Sequence, residues 1–332
     1  MTADHPFAPF IRILGKGPSL SRDLTEAEMA DAAAMIMAGA VEPVQLGAFL
    51  CLLRIRSETP GEIAGFARAA RATLHLPEDP PSVDLDWPCY AGKQRRLPWF
   101  VLSALLLAQS GVRVFLHGLD GHTPGRVWAP DALAALGIAP AGSLREAAAQ
   151  LHSRNLAYLP LDHLCPRLRE LMAFRSLLGL RSPVHTIVRH LNPFDAPCQI
   201  MGVAHPLYRG LHQGAARLLG LRQFAVFKGD GGEAERVPEK PCQVSGLAAG
   251  EPTEETWAPM LAEPRREADT ALDVALLPRL WSGTLRDPVA EAAVVGTAAV
   301  ALRAMGRADT QDDAEVQAIA LWQDRWPLAL AG

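Results

Sequence analysis

From Trp99 to Gly232 the sequence keeps changing its period. Helix-like runs such as WFVLSALLLAQSG, SLREAAAQLHSRN and PLYRGLHQGAARLLG are separated by short β-rich runs, VRVFLHG, LAYLPL, QIMGVA and QFAVFKGDGG. An intervening helix supplies the long crossover that parallel pairing needs, so the pattern predicts an α/β domain with a mainly parallel central sheet. The segment before about residue 75 lacks this alternation. There Thr25 and Glu28 spell a capping box, Gly39 marks a helix end, Pro43 a first turn, and Thr59-Pro60 another start. The expected fold is a small helical N-terminal domain, residues 1–76, and a large α/β domain, residues 77–332. The Pro/Asp-rich connector PEDPPSVDLDWPC at 77–89 divides them. Helices around 165–190 are expected to join the first domain in space. PRLRELMAFRSLLG reads as helical, and the acidic last third carries helices near 288–305 and 311–325.

Composition excludes several classes. With 49% hydrophobic and 20% charged residues the chain is globular rather than disordered. The longest apolar run, Leu97–Ala108, is too short to span a bilayer, and MTADHPFAPF has no signal-peptide pattern. A cytoplasmic protein without a membrane role is expected. Five cysteines form no CxxC pair, which argues against a disulfide framework or zinc cage and fits reduced thiols. No HxH or HExxH spacing supports a metal site.

The net charge of −4 conceals an asymmetry. Tyr90–Lys240 carries 18 Lys+Arg against 10 Asp+Glu, or +8, and the remainder is −12. Its densest cations, Lys93, Arg95 and Arg96, fall within four residues of YAGKQRRLPWF. Such a cluster is either an anionic-ligand site or a solvated loop with its cations in water.

Three segments in order carry a resemblance: AGAVEPVQLGAFLCLLRIRSETPGEIAGFARAAR, then GVRVFLHGLDGH, then FRSLLGLRSPVHTIVRHLNPFDAPCQIMGVAHP running on to FAVFKGDGGEAE. Together they resemble anthranilate phosphoribosyltransferase and its relatives in the glycosyltransferase family 3/nucleoside phosphorylase superfamily. The resemblance covers about residues 11–240. It implies that family's two-domain fold and a homodimer through the helical domain. It also implies an ancestral cleft at Gly92, His117-Gly118, Arg175 and Asn192. Arg175 matches the arginine that meets the carboxylate of anthranilate, and His117 sits where the strand-end loop faces the cleft.

The family's signature positions differ here. Its GTGGDG loop, which cradles the pyrophosphate of phosphoribosyl pyrophosphate, becomes Ala91-Gly92-Lys93-Gln94-Arg95-Arg96. Its KHGN becomes Leu116-His117-Gly118-Leu119. Its magnesium-holding Asp-Glu pair becomes Glu233-Ala234, which leaves Glu233 as the candidate metal ligand. Magnesium is implied only alongside residual transferase activity, and no other cofactor is. The pattern looks like the YbiB-type branch, which keeps the fold and is associated with sequence-independent nucleic-acid binding. On that reading Lys93, Arg95, Arg96, Arg126, Arg189 and Lys228 are the candidate phosphate contacts. The alternative is an active transferase acting on an unknown acceptor. Asp120 reads as a turn residue, and His122, His185, His190 and His205 as structural histidines.

Overall fold

The computed structural model describes residues 4–17, 19–119, 121, 124–262 and 272–327; Asp120 and His122 lie outside them. Four helices come first: α1 (Ala8–Gly15), α2 (Glu26–Met37), α3 (Pro43–Arg56) and α4 (Pro60–Arg71). Their boundaries follow local chemistry. Thr25 and Thr59 each close a full capping box, with Glu28 and Glu62, Gly39 leaves α2 with a φ of 71°, and α3 opens on Pro43. Helix α3 buries Leu46, Phe49, Leu50 and Leu53. Its opposite face keeps Val44, Ala48 and Ile55 exposed and Cys51 half-buried, an apolar stripe at helical spacing.

The rest alternates as expected: β1 (Leu85–Cys89), α5 (Phe100–Gln109), β2 (Val114–Gly118), α6 (Ala129–Ala135), α7 (Leu144–Arg154) and β3 (Leu156–Pro160). Short helices follow: α8 (Leu161–Leu164), α9 (Pro166–Ala173), α10 (Arg175–Leu178) and α11 (Val184–Ile187). Then come β4 (Cys198–Val203), α12 (Tyr208–Leu218), β5 (Gln223–Lys228), β6 (Cys242–Ala248), β7 (Glu251–Trp257), α13 (Leu276–Trp281), α14 (Pro288–Ala304) and α15 (Gln311–Gln323). The seven strands run in the order β3-β2-β1-β4-β5-β6-β7. The first five are parallel, and β6 and β7 add an antiparallel edge.

Strand β1 was not expected. Its sequence LDWPC lies inside the supposed connector, yet all five residues are buried. It pairs with β2 along its length but with β4 only at Leu85 and Asp86, stopping before Pro88, which has no N–H to give. The helical run 166–179 is two helices, α9 and α10, meeting at Phe174.

Apolar side chains pack on both faces of the sheet. On one, Trp87 stacks on Phe100 of α5 with centroids 6.0 Å apart, and α14 closes the layer. On the other, Phe115 and Leu159 share a cluster with Phe49 and Phe66 of the N-terminal helices and with Leu168, Leu171 and Val184 of α9 and α11.

Within that second layer His190 Nε2 and His212 Nδ1 stand 2.8 Å apart with both rings buried. Burial, then the neighbouring Arg189 charge, pushes His190 down to about 3. His212 is lowered by burial, then by His190 and Arg189. A histidine depressed in the folded state is neutral there while the unfolded chain takes up protons below its ordinary value near 6.5. The stability it contributes is therefore complete above about pH 6.5 and is lost as pH falls from there toward the folded value. Lowering the pH from 8 to 5 should cost wild type about 2 kcal/mol per depressed histidine relative to a His190→Asn/His212→Gln variant. Urea melts of both proteins across this range check the slope difference.

Candidate functional site

In a sheet ordered 3-2-1-4-5 the crossovers leave β1 in opposite directions, and a crevice opens at the C-terminal ends of β1 and β4. The loop after β1, the turn after β5 and the segment α9–α11 meet there. The β1 loop is pinned by a carboxylate from far along the chain. Ala91 and Gly92 donate their N–H groups to Glu233 Oε1 at 2.7 and 2.5 Å, and Arg126 Nη1 donates to the carbonyls of Ala91 and Gly92 at 2.6 and 3.2 Å. Gly92 has a φ of 65°, and a Cβ there would stand 3.0 Å from the Trp128 ring. Glu233 is 1% exposed. Burial raises its pKa, opposed by Arg189 and the two N–H groups.

The cations of GKQRR do not form an open patch. Lys93 is 0% exposed, and its Nζ lies 2.6 Å from Glu235 Oε1 and 2.7 Å from Asp230 Oδ2. Glu235 Oε2 accepts the Phe100 N–H that opens α5. Arg96 forms a two-pronged pair with Glu239. Only Arg95 of the three is exposed. Burial raises Asp230, but Lys93, Arg96 and Arg95 outweigh it and hold this carboxyl below its ordinary value. GKQRR and GDGGEAERVPE therefore neutralise each other. The reason lies in desolvation: an ammonium inside protein needs carboxylate partners to remain charged.

A second group of cations gathers here. Arg181 is lowered by partial desolvation and then by four arginines, Arg175, Arg126, Arg189 and Arg54. His185 is held down to about 4 by burial and by Arg181, Arg175 and Arg189, so it stays neutral; its Nδ1 faces the Ser182 carbonyl at 3.2 Å. A cavity of about 250 Å³ beside them is lined by Leu119, Arg169, Met172, Arg175, Ser176 and His185, among others. Arg189 Nη1 donates to the Gly202 carbonyl, and Arg54 reaches Tyr208 Oη at 3.2 Å.

Of the residues singled out in the sequence, Arg126, Arg175 and Arg189 come together here, while Lys93 and Arg96 belong to the neutralised loop. Lys228 is exposed at the end of β5. Glu233, expected as a metal ligand, is instead bound to backbone N–H groups, and among the described residues no three His, Cys, Asp or Glu side chains could hold a metal ion. His117 does not face the cleft. It is fully buried, with Nδ1 2.7 Å from Tyr90 Oη and Nε2 3.3 Å from Asp86 Oδ2, which Gln199 Nε2 also approaches at 2.6 Å. A Cβ on Gly118 would overlap the Cys89 carbonyl. Asn192 is buried at a φ of 31° and closes a turn by bonding both the N–H and the carbonyl of Ala196. Arg54 and Arg181 also belong to the arginine group. Arg54 lies in the last turn of α3, and nothing linear brings it to Arg181, 127 residues further on.

These positions make a sharp contrast. Lys93→Ala should cost about 3–5 kcal/mol, because it leaves Glu235 and Asp230 without their cation. Arg95→Ala should stay within about 0.5 kcal/mol of wild type. Urea denaturation compares the two directly; equal midpoints would mean that Lys93 is not the internal counter-ion.

Comparison with known proteins agrees with this architecture. Residues 8–74 match the helical bundle domain of the glycosyl transferase family. The anthranilate phosphoribosyltransferase of Moorella thermoacetica is 31% identical over 330 residues, spanning 91% of this chain and 95% of that protein. The uncharacterized protein YbiB of Escherichia coli is 29% identical over 210 residues, 61% of this chain and 65% of YbiB. The solved anthranilate phosphoribosyltransferase of Thermus thermophilus superposes with a TM-score of 0.78 at 24% identity, covering 96% of this chain and 94% of that one. The Saccharomyces cerevisiae enzyme in complex with PRPP and Mg also gives 0.78, at 15% identity over 97% and 94% of the two chains. With a relative 31% identical and covered over 95% of its length, the chain belongs to the anthranilate phosphoribosyltransferase family.

Proposed function

We propose that this protein is a non-catalytic member of its family that binds nucleic acid, without sequence preference, through the arginine group of the cleft. The observation that carries this reading is that Arg175, Arg126, Arg189 and Arg54 all act electrostatically on the exposed Arg181. Like charges oppose one another, and a chain of phosphates relieves several at once. The guanidinium fork suits phosphate oxygens better than an ammonium does. The donor side of the cleft supports a loss of catalysis. The loop's N–H groups are taken by Glu233, and Lys93 is taken by Glu235 and Asp230. For the same reason magnesium does not fit here: Glu233, Glu235 and Asp230 are engaged within the chain. Five unpaired cysteines, four of them buried, agree with a cytoplasmic setting; no described helix is long and apolar enough to cross a membrane.

A second reading, an active transferase acting on an unknown acceptor, draws on the Moorella relative and on the cavity beside Arg175. One set of titrations separates the two. Fluorescence anisotropy of a labelled single-stranded oligonucleotide should show tight, sequence-indifferent binding at low salt. The salt slope of log K should fall by about 0.7 for each phosphate contact removed, with affinity dropping in Arg175→Ala and Arg181→Ala and unchanged in Arg95→Ala. Phosphoribosyl pyrophosphate with magnesium should leave the melting temperature unmoved. No oligonucleotide binding at low salt, together with a saturable rise in melting temperature with the sugar phosphate, would establish the transferase instead.

We also propose a homodimer through the helical domain, supported by the stripe Val44, Ala48, Cys51 and Ile55 on α3, where Val44 and Ile55 are each 78% exposed. Leu177 of α10, 81% exposed, adds to the exposed apolar surface of the helical region, and Gly47 on α3 faces its neighbour Leu178. Light scattering at micromolar concentration should give twice the monomer mass for wild type and the monomer mass for Val44→Asp/Ile55→Asp. A monomeric wild type would rule the dimer out.

A further inference from the structure

The turn that carries Glu233 is seated in a cradle that only glycine permits. A Cβ on Gly202 or Gly229 would overlap the backbone of Glu233, and one on Gly231 would stand 2.8 Å from the Gly92 carbonyl oxygen. Gly231 and Gly232 turn with φ of 70° and 96°. The whole device delivers one carboxylate to one place. There Glu233 Oε1 receives two successive backbone N–H groups, while Oε2 is buried with no hydrogen-bond partner among the described residues. A buried carboxylate with an empty oxygen is costly and ordinarily takes up a proton or moves to water. Two converging N–H groups and the nearby Arg189 guanidinium offset that cost. Successive N–H groups aimed at one oxygen form the concave nest that accepts phosphate oxygens. Arg126 separately ties down the carbonyls of Ala91 and Gly92.

We infer that the Glu233 carboxylate is a resident anion, a side chain that fills a latent phosphate site formed by the Ala91 and Gly92 N–H groups and so keeps free phosphate out of it. The nucleic-acid reading is not needed for this. Failure of oligonucleotide binding leaves the resident anion standing, and failure of the experiment below leaves the arginine group standing.

The test removes the carboxylate and offers a replacement. Glu233→Ala is titrated with inorganic pyrophosphate, and separately with sodium formate, against sodium chloride at matched ionic strength. Isothermal calorimetry and melting temperature are the readouts. The variant should bind pyrophosphate at least ~10-fold more tightly than wild type, about 1.4 kcal/mol, and formate should raise its melting temperature saturably while leaving wild type unmoved. Adding Arg189→Gln should weaken both effects. Where Glu233→Ala does not fold, Glu233→Gln keeps the shape. In wild type the Ala91 and Gly92 amide protons should resonate downfield, and in the Gln variant they should move upfield as the charge is lost. The inference is overturned by a folded Glu233→Ala that responds to neither anion, by wild type binding pyrophosphate as tightly as the variant, or by Ala91 and Gly92 resonances that ignore the Gln substitution.

Discussion

The pairing of the buried Lys93 with Glu235 and Asp230 holds one side of the cleft together. One carboxylate, Glu235, neutralises Lys93 through Oε1 and caps the first turn of α5 at Phe100 through Oε2. The loop after β1, the start of α5 and the turn after β5 are thereby fixed to one another across more than a hundred residues of sequence. Burying three charges is expensive, and the cost is offset only while every partner is in place. That makes the arrangement intolerant of small shifts, and the surrounding glycines reflect it. Gly202, Gly229 and Gly231 let backbones approach at distances a Cβ would forbid.

This pairing also divides the charge of the middle segment into two parts with different fates. The cations nearest the old donor loop are spent internally on Asp230, Glu235 and Glu239. The arginines across the crevice form a separate group, with Glu233 the anion that acts on Arg189. An acidic protein can therefore present a positive cleft, because low-dielectric walls focus the field of a few fixed charges.

The elements with a clear helical period, and the strands flanked by them, were legible in the sequence: α2 to α7, α12, α14, α15 and β2 to β5 lie where periodicity and caps place them. Strand β1 was not, because LDWPC contains an aspartate and a proline. Both are tolerated for tertiary reasons: Asp86 is met by His117 and Gln199, and Pro88 sits where pairing with β4 has ended. The hairpin of β6 and β7 was equally silent. Its turn is Ala249-Gly250, both at positive φ, without the Asn-Gly or Asp-Gly signal that marks most such turns, and β7 is a polar edge. Half of the site was hidden for a different reason. GKQRR reads as a basic patch until Glu233, Glu235 and Glu239 are brought onto it from some 140 residues away, and no local rule encodes that meeting.

The glycines of GDGG can be required for two different reasons. In a linear reading they mark a tight turn first and a phosphate cradle second, because phosphate needs bare backbone. Here the bare backbone is needed by the chain itself. At Gly202 and Gly229 the atoms that a Cβ would strike belong to Glu233, so these positions would resist substitution even in a protein that never meets a phosphate. The same holds for Gly118, closed against the Cys89 carbonyl, and for His117, held by Tyr90 and Asp86 beneath the cleft. The positions by which the resemblance was read are thus held by packing within the chain, while the arginines of the second group lie elsewhere in the crevice, on α3 and on the segment from α10 to β4.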